Sequence, residues 1–288
     1  MRGCTMRIYY SELCLIGGKV ERNVDRLIAN GADSIELMLD GAGWDGFHLR
    51  MTELASSLAS KGVAYSVHVP VWDANLTSES SHVRAAVEES YRGTIEFAAM
   101  IGARHVVLHP GYCSDPHFSR ETARRRAHKA VERLAEFNSD YGQLLLVENV
   151  GSPSASVLSE REYVHFLDGF PESVGYIVDV GHAFISGWSL DTLLPALKDR
   201  LHALHLHDND GSVDSHAPLG DGSIDWNSVL AAAAATGRDL GLVLEFNIGT
   251  GLERLAESRA FLEEALSPGA DAGSGYAWNA SPVLAARL

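Results

Sequence analysis

Hydrophobic positions switch repeatedly between short apolar or alternating runs and longer stretches of helical period, and each switch marks an expected element. Arg7–Tyr10 reads as a strand, followed by Gly17-Gly18 and a helix over about 20–30 that Gly31 ends. Strand two is Ala32–Leu39; beyond the Gly-Ala-Gly turn at 41–43 and Trp44, a helix runs to about Lys61. Strand three, Ala64–Val69, stops at Pro70, and an amphipathic helix over about 81–101 leads to strand four, His105–His109. A helix over about 119–141 precedes strand five, Leu144–Glu148, whose unbroken apolar run is that of a strand buried on both faces. Helix 160–167, strand six at Tyr176–Asp179, helix 190–197 and strand seven from Leu204 follow. An alanine-rich helix at 226–236, strand eight at Leu240–Glu245 and a helix over about 252–266 complete the pattern.

Eight strands alternating with helices, with no linker-like break, predict a parallel sheet closed into a single (β/α)8 TIM barrel over residues 1–266. The tail 267–288 is rich in Gly, Ala and Ser, and is expected to be loosely ordered or docked through Tyr276 and Trp278. A hydrophobic content of 46% in 288 residues is ample for one large core. The net charge of −15 argues against broad attraction to nucleic acid or anionic membranes. Cys4, Cys14 and Cys113 lack CxxC spacing and read as reduced thiols. With no apolar leader and no run of membrane-spanning length, a cytoplasmic protein is expected. The basic cluster from Arg120 to Arg126 alternates with Glu121 and reads as a solvated helix face.

The densest chemistry lies between Leu204 and Gly222, where His205, His207, Asp208, Asp210, Asp214, His216 and Asp221 cluster. Strand geometry points His205 and His207 to one side, and Asp214 and His216 can close beside them. Similar residues recur at other strand ends: Glu36, His68, His109, Glu148, Asp179 with His182, and Glu245. In a closed barrel these ends ring one mouth, where barrel enzymes place their active sites. Without a cation, so many carboxylates and imidazoles would repel and desolvate one another, so a divalent metal site is expected. Asp208-Asn209-Asp210-Gly211 has the start of a calcium loop, but Leu219 stands where the closing Glu belongs, and the motif is rejected.

Together, Ser66-Val67-His68-Val69-Pro70, Val107-Leu108-His109-Pro110-Gly111, Leu146-Val147-Glu148-Asn149, Val178-Asp179-Val180-Gly181-His182, His205-Leu206-His207-Asp208, Asp214-Ser215-His216, Leu219-Gly220-Asp221-Gly222 and Leu244-Glu245-Phe246 resemble the xylose isomerase-like barrel superfamily. The resemblance runs from about residue 7 to 266 and implies one of two chemistries. In the sugar isomerase and epimerase branch, the residues matching Glu148, Asp179, His205 and Glu245 hold one divalent ion, often manganese. Glu148 and Glu245 are then the paired acid and base, and His182 holds a sugar oxygen. In the endonuclease IV branch, nine ligands hold three zinc ions and activate water against a phosphodiester. The nine counterparts are His68, His109, Glu148, Asp179, His182, His205, Asp214, His216 and Glu245, with Glu148 bridging two metals. Metal-assisted keto-sugar lyases share the fold.

Three features favour the sugar branch. The loop after strand two, Asp40–Gly46, has no Arg or Lys where endonuclease IV-type enzymes carry a basic, aromatic loop that enters DNA. Glu36 in Ile-Glu-Leu resembles the isomerase-type second strand, and Leu219–Trp226 resembles a turn of sugar isomerases. The expectation is therefore an isomerase or epimerase of a small sugar or sugar phosphate using one to three Mn or Zn ions, with nucleic acid disfavoured as a partner and membranes excluded. Glu36, His68, His109, His207 and Trp44 are the expected substrate contacts, His207 being also a candidate ligand. The sequence does not set the oligomeric state.

Overall fold

The computed structural model describes residues 6–151 and 154–267, so Cys4, Tyr276 and Trp278 lie outside the described residues. The elements run in the order β1 (Arg7–Ser11), α1 (Val20–Ala29), β2 (Ser34–Met38), α2 (Met51–Ala59), β3 (Ala64–His68) and α3 (Ser81–Met100). They continue with β4 (Val106–Leu108), α4 (Arg120–Phe137), β5 (Leu145–Glu148), α5 (Glu160–His165), β6 (Val174–Asp179) and α6 (Val180–Ile185). Then come α7 (Leu190–Leu197), β7 (Leu201–Leu206), α8 (Trp226–Ala235), β8 (Gly241–Leu244) and α9 (Leu252–Ala265). Each strand pairs in parallel with the next, and β8 closes on β1 with Arg7 opposite Gly241 and Tyr10 opposite Leu244.

Alternation explains the layering. Leu145, Val147, Val178, Leu204 and Leu206 face outward into the shell packed under the helices. Val107, Leu146, Ile177 and Ala203 form a separate buried layer inside the barrel. Helix starts follow their capping residues: Ser80, Ser119 and Asp225 accept backbone N–H bonds at α3, α4 and α8, and Ser159 with Glu162 forms a capping box at α5.

The structure departs from the expected elements at several places. The helix expected to run to about Lys61 is preceded by a 3-10 turn, Phe47–Arg50, and ends as α2 at Ala59. Strand β7 starts three residues earlier than Leu204, and α6 was not expected at all. Its cause is Asp179, whose carboxylate accepts the His182 N–H at 2.7 Å and so starts a helix directly at the strand end. The basic cluster on α4 is spent internally: Arg120 bonds to the Ser154 and Ser156 carbonyls, Arg126 to those of Thr77 and Ser78. Arg124 and Arg125 pair with Glu162 and Glu121. Among the described residues no helix is long and apolar enough to cross a membrane, and Cys14 and Cys113 are buried free thiols.

The long loop after β7 is organised by Asp208. Its buried carboxylate accepts from the N–H groups of Asn209 (2.9 Å), Gly220 (2.8 Å) and Ile224 (3.1 Å) and from the Trp226 indole (2.9 Å). Gly222 lies so close that a Cβ there would overlap Asp208 and the Asn209 backbone, which explains the glycine of the Leu-Gly-Asp-Gly run. Asp208→Ala leaves these donors without their acceptor and is expected to destabilise the protein by roughly 3 kcal/mol in urea unfolding. A change within error of zero would remove this organising role.

Candidate functional site

The inner layer fixes where the site side chains go. Two residues beyond Val107, Leu146, Ile177 and Ala203 on the same strand faces stand His109, Glu148, Asp179 and His205. Inward parity therefore carries all four to the mouth. His68, His109, Glu148, His182, Asp214, His216 and Glu245 line one cavity of about 280 Å3, and Asp179, His205 and His207 are fully buried at 0% exposure.

Glu148 is the meeting point. Its Oε2 lies 3.2 Å from His68 Nε2 and 3.0 Å from His109 Nε2. Its Oε1 lies 3.4 Å from His205 Nδ1 and 3.5 Å from His182 Nδ1. His205 Nδ1 also faces Glu245 at 3.5 Å and Asp179 at 3.8 Å, yet makes no hydrogen bond. A second group gathers around Asp214, whose Oδ2 is 2.9 Å from His182 Nε2 and 3.4 Å from His216 Nε2. His207 stacks on His216 with ring centroids 3.7 Å apart and donates from Nε2 to Asp179 at 3.1 Å. A Cβ at Gly181 would overlap the His207 ring, so glycine is required where α6 crosses it.

Three rings are held in one tautomer by backbone carbonyls. His68 donates Nδ1–H to Val69 at 2.7 Å, His182 to Asn149 at 2.9 Å and His216 to Glu245 at 3.1 Å, each aiming Nε2 at the cavity. His216 does so at φ 44, the one non-glycine residue at positive φ among the described residues. Asn149 also brackets Asp179, accepting its N–H at 2.7 Å and donating to its carbonyl at 2.9 Å.

Two expected substrate contacts are corrected. Trp44 is buried at 4% exposure against Phe47 and Phe97, its indole donating to Glu12 at 3.0 Å, so its ring belongs to the core beneath the loop. Glu36 sits below His205, accepting from His205 Nε2 at 2.8 Å and from Ser66 at 2.9 Å; fully buried there, it orients the imidazole and cannot reach the cavity. Sequence reasoning missed the apolar side of the cavity, above all Trp72 and Tyr112. Trp72 is 51% exposed, held at the rim because Asp40 accepts the N–H groups of Val71 (2.8 Å) and Trp72 (3.3 Å). The available signal was an aromatic residue shortly after a strand end.

The profile of the xylose isomerase-like TIM barrel family matches residues 24–265. The chain belongs to this family. A probable endonuclease 4 of Mycobacterium leprae is 29% identical over 235 residues, covering 77% of this chain and 90% of that protein. A D-tagatose 3-epimerase-like protein superposes with a TM-score of 0.79 at 23% identity, covering 91% of this chain and 97% of the other. An IOLI protein crystallised with a zinc atom gives a TM-score of 0.75 at 17% identity over 91% and 98% of the two chains. This xylose isomerase-like chain is an enzyme.

The donor chemistry of this xylose isomerase-like mouth fits a divalent cation. Groups such as His68, Glu148 and His205, or His182, His207, Asp214 and His216, bring ligand atoms within 4.8 Å of one another. The orphaned His205 Nδ1, faced by three carboxylates, is where a cation would satisfy every group. Burial alone would raise Glu148, but the His109 and His205 charges hold its carboxyl well below the usual range. Burial likewise opposes charge on His68 and His216, yet Glu148 and Asp214 respectively push both up to about 9.

Two outcomes follow from this geometry. Because Glu36 fixes which nitrogen of His205 faces the carboxylates, Glu36→Gln is expected to weaken Mn or Zn binding by about 10- to 100-fold in calorimetry. Unchanged affinity would refute that role. Raised His68 and His216 values mean that the metal-stripped protein holds their contribution fully below 6.5 and loses it as pH rises through about 9. Its melting temperature should fall across that interval while divalent-ion affinity rises, and a melting temperature flat across it would contradict the assignment.

Proposed function

We propose that this enzyme is a divalent-metal-dependent isomerase or epimerase that moves a proton next to the carbonyl of a small sugar. One observation carries the reading. Glu148 and Glu245, from different strands, converge within 3.4 and 3.5 Å of the same His205 atom beside a cavity lined by no Arg or Lys. Paired carboxylates of this kind suit deprotonation on one face of a carbon and reprotonation on the other.

In this reading Glu148, Asp179, His205 and Glu245 hold one ion, Mn or Zn. When bound, the ion supplies Lewis-acid polarisation of a carbonyl. One of Glu148 and Glu245 takes the proton as general base, and the other returns it as general acid. His182, locked by the Asn149 carbonyl, presents Nε2 towards Asp214 and the cavity, where it holds a sugar hydroxyl. Trp72 and Tyr112 cover the apolar face of the ring and limit water at the reacting carbon.

A second reading, a trinuclear zinc phosphodiesterase acting on abasic-site DNA or a smaller phosphoester, is favoured by the group His182, Asp214 and His216. It gains from the division of Glu148 between His68 with His109 on one oxygen and His205 on the other. The loop after β2 weighs against it. Trp44 is buried, and a Cβ at Gly43 would overlap the Gly18 carbonyl, so this loop is packed down with no basic side chain to enter DNA.

Metal analysis of purified protein separates the two, with about one ion per chain expected for the isomerase and close to three for the phosphodiesterase. Candidate ketoses incubated in deuterated water should take up label at the carbon next to the carbonyl. Glu148→Gln and Glu245→Gln should each slow uptake by roughly 100- to 10,000-fold. No uptake from any ketose, together with cleavage of abasic-site DNA, would overturn the first reading.

A further inference from the structure

A second, larger cavity of about 620 Å3 lies on the same mouth of the barrel, between the start of α1 and the segment 248–252 that joins β8 to α9. One wall is cationic. Lys19, Arg22 and Arg26 are spaced i, i+3 and i+7, so they line one face of α1, and all three are exposed. The helix's own acids face elsewhere: Glu21 pairs with Arg50 at 2.7 Å and Asp25 with Lys61 at 2.6 Å, both on the α2 side. Among the described residues, no side-chain hydrogen bond or ion pair neutralises Lys19, Arg22 or Arg26. The arginines of α4, more conspicuous in the sequence, are consumed by loop carbonyls and glutamates. In a chain of net charge −15, three cations with no acid paired to them line this one cavity.

The opposite wall is backbone and a hydroxyl, from Gly249, Thr250 and Gly251. Gly249 N–H is used by the Cys14 carbonyl at 3.0 Å, which ties the two walls together. Glu253 folds back over Gly251, where a Cβ would overlap its carboxylate, so the α9 terminus is already covered and the three cations carry the argument.

We propose that this cavity binds the phosphate group of a phosphorylated sugar whose carbonyl end enters the metal-ligand cavity. This rests on the sugar reading above and narrows its substrate class. The linings of the two cavities are neighbours in sequence: Leu13 lines the first and Cys14 the second, and Glu245 lines the first and Ile248 the second. Their division of labour is complementary, since the cavity with the acid–base pair has no Arg or Lys and its neighbour has three cations. Two guanidinium forks and an ammonium suit a phosphate dianion, which offers oxygens to all three, better than a carboxylate, which one fork satisfies.

The test uses the metal-loaded, full-length enzyme, its Arg22→Ala/Arg26→Ala double variant, and Arg161→Ala as a control for general surface charge. Inorganic phosphate is titrated by calorimetry, and five- and six-carbon ketoses, each with and without a terminal phosphate, are compared by deuterium uptake. Phosphate affinity should fall by about tenfold or more in the double variant and stay unchanged in the control. The KM advantage of phosphorylated over unphosphorylated ketose should vanish in the double variant, with uptake from the unphosphorylated sugar unaltered. Equal phosphate affinity in wild type and double variant, or a phosphate preference that survives the substitution, overturns the proposal. If no ketose exchanges at all, the sugar reading fails and the substrate assignment with it, while the calorimetry still decides whether the cavity takes phosphate.

Discussion

Everything at the barrel mouth depends on a single buried carboxylate shared between two sides. Glu148 is 1% exposed and gives one oxygen to His68 and His109 and the other to His205 and His182. A carboxylate so deep is tolerable only while positive charge surrounds it, and an imidazole so deep stays protonated only beside negative charge. The groups therefore hold one another's charge states, and none can be removed without stranding a neighbour. A divalent cation at the orphaned His205 nitrogen would take over that balance from protons, coupling metal binding to proton release.

The surroundings keep this arrangement from relaxing. Val69, Asn149 and Glu245 each spend a backbone carbonyl on one histidine Nδ1–H. Asp179 has two duties, since its carboxylate starts α6 and so carries His182 over the mouth, and it also meets His207 Nε2. The left-handed His216 backbone persists because its carbonyl takes the Asn247 N–H at 2.8 Å while its ring is held by the Glu245 carbonyl. Asp208, with four donors, gives the loop that presents Asp214 and His216 a fixed anchor. Preorganisation is thus built largely from backbone groups, which lose no side-chain freedom in providing it.

The fold was legible because strands such as β4, β5 and β8 are apolar on both faces until they reach the mouth, and that pattern survives in a single sequence. The inward parity of His109, Glu148, Asp179 and His205 was legible for the same reason. Depth was not. Glu36 and His68 both point inward from neighbouring strands, but Glu36 pairs with Ser66 and His68 with Met38, so the glutamate lies one layer lower. Nothing in Ile-Glu-Leu distinguishes a residue facing substrate from one facing the back of a ligand. Trp44 was misread similarly, because a loop tryptophan looks exposed until Glu12, Phe47 and Phe97 close around it. The cations of α1 carried no motif. Only after pairing Glu21 and Asp25 towards α2 does the structure show which charges are left over.

The two chemistries considered for this mouth use overlapping residues, so the proposed reading leans on the walls as well as on the ligands. A nuclease must admit a polymer, which requires loops standing above the mouth with charge aimed outward. Here the loop after β2 is folded down onto Gly18 and into the aromatic core, and Arg120 and Arg126 of α4 are bound to loop carbonyls. Glu148 and Glu245 line a cavity of about 280 Å3 with an aromatic rim, and the larger cavity of about 620 Å3 lies on the same mouth. Such a space sets a limit on the substrate before any metal is counted. In the proposed sugar reading it takes a small molecule with a polar carbonyl end, and its aromatic rim limits water around the carbon from which the proton leaves. In that reading His182, Asp214 and His216, gathered on one side of a small cavity, orient a hydroxylated chain between Glu148 and Glu245.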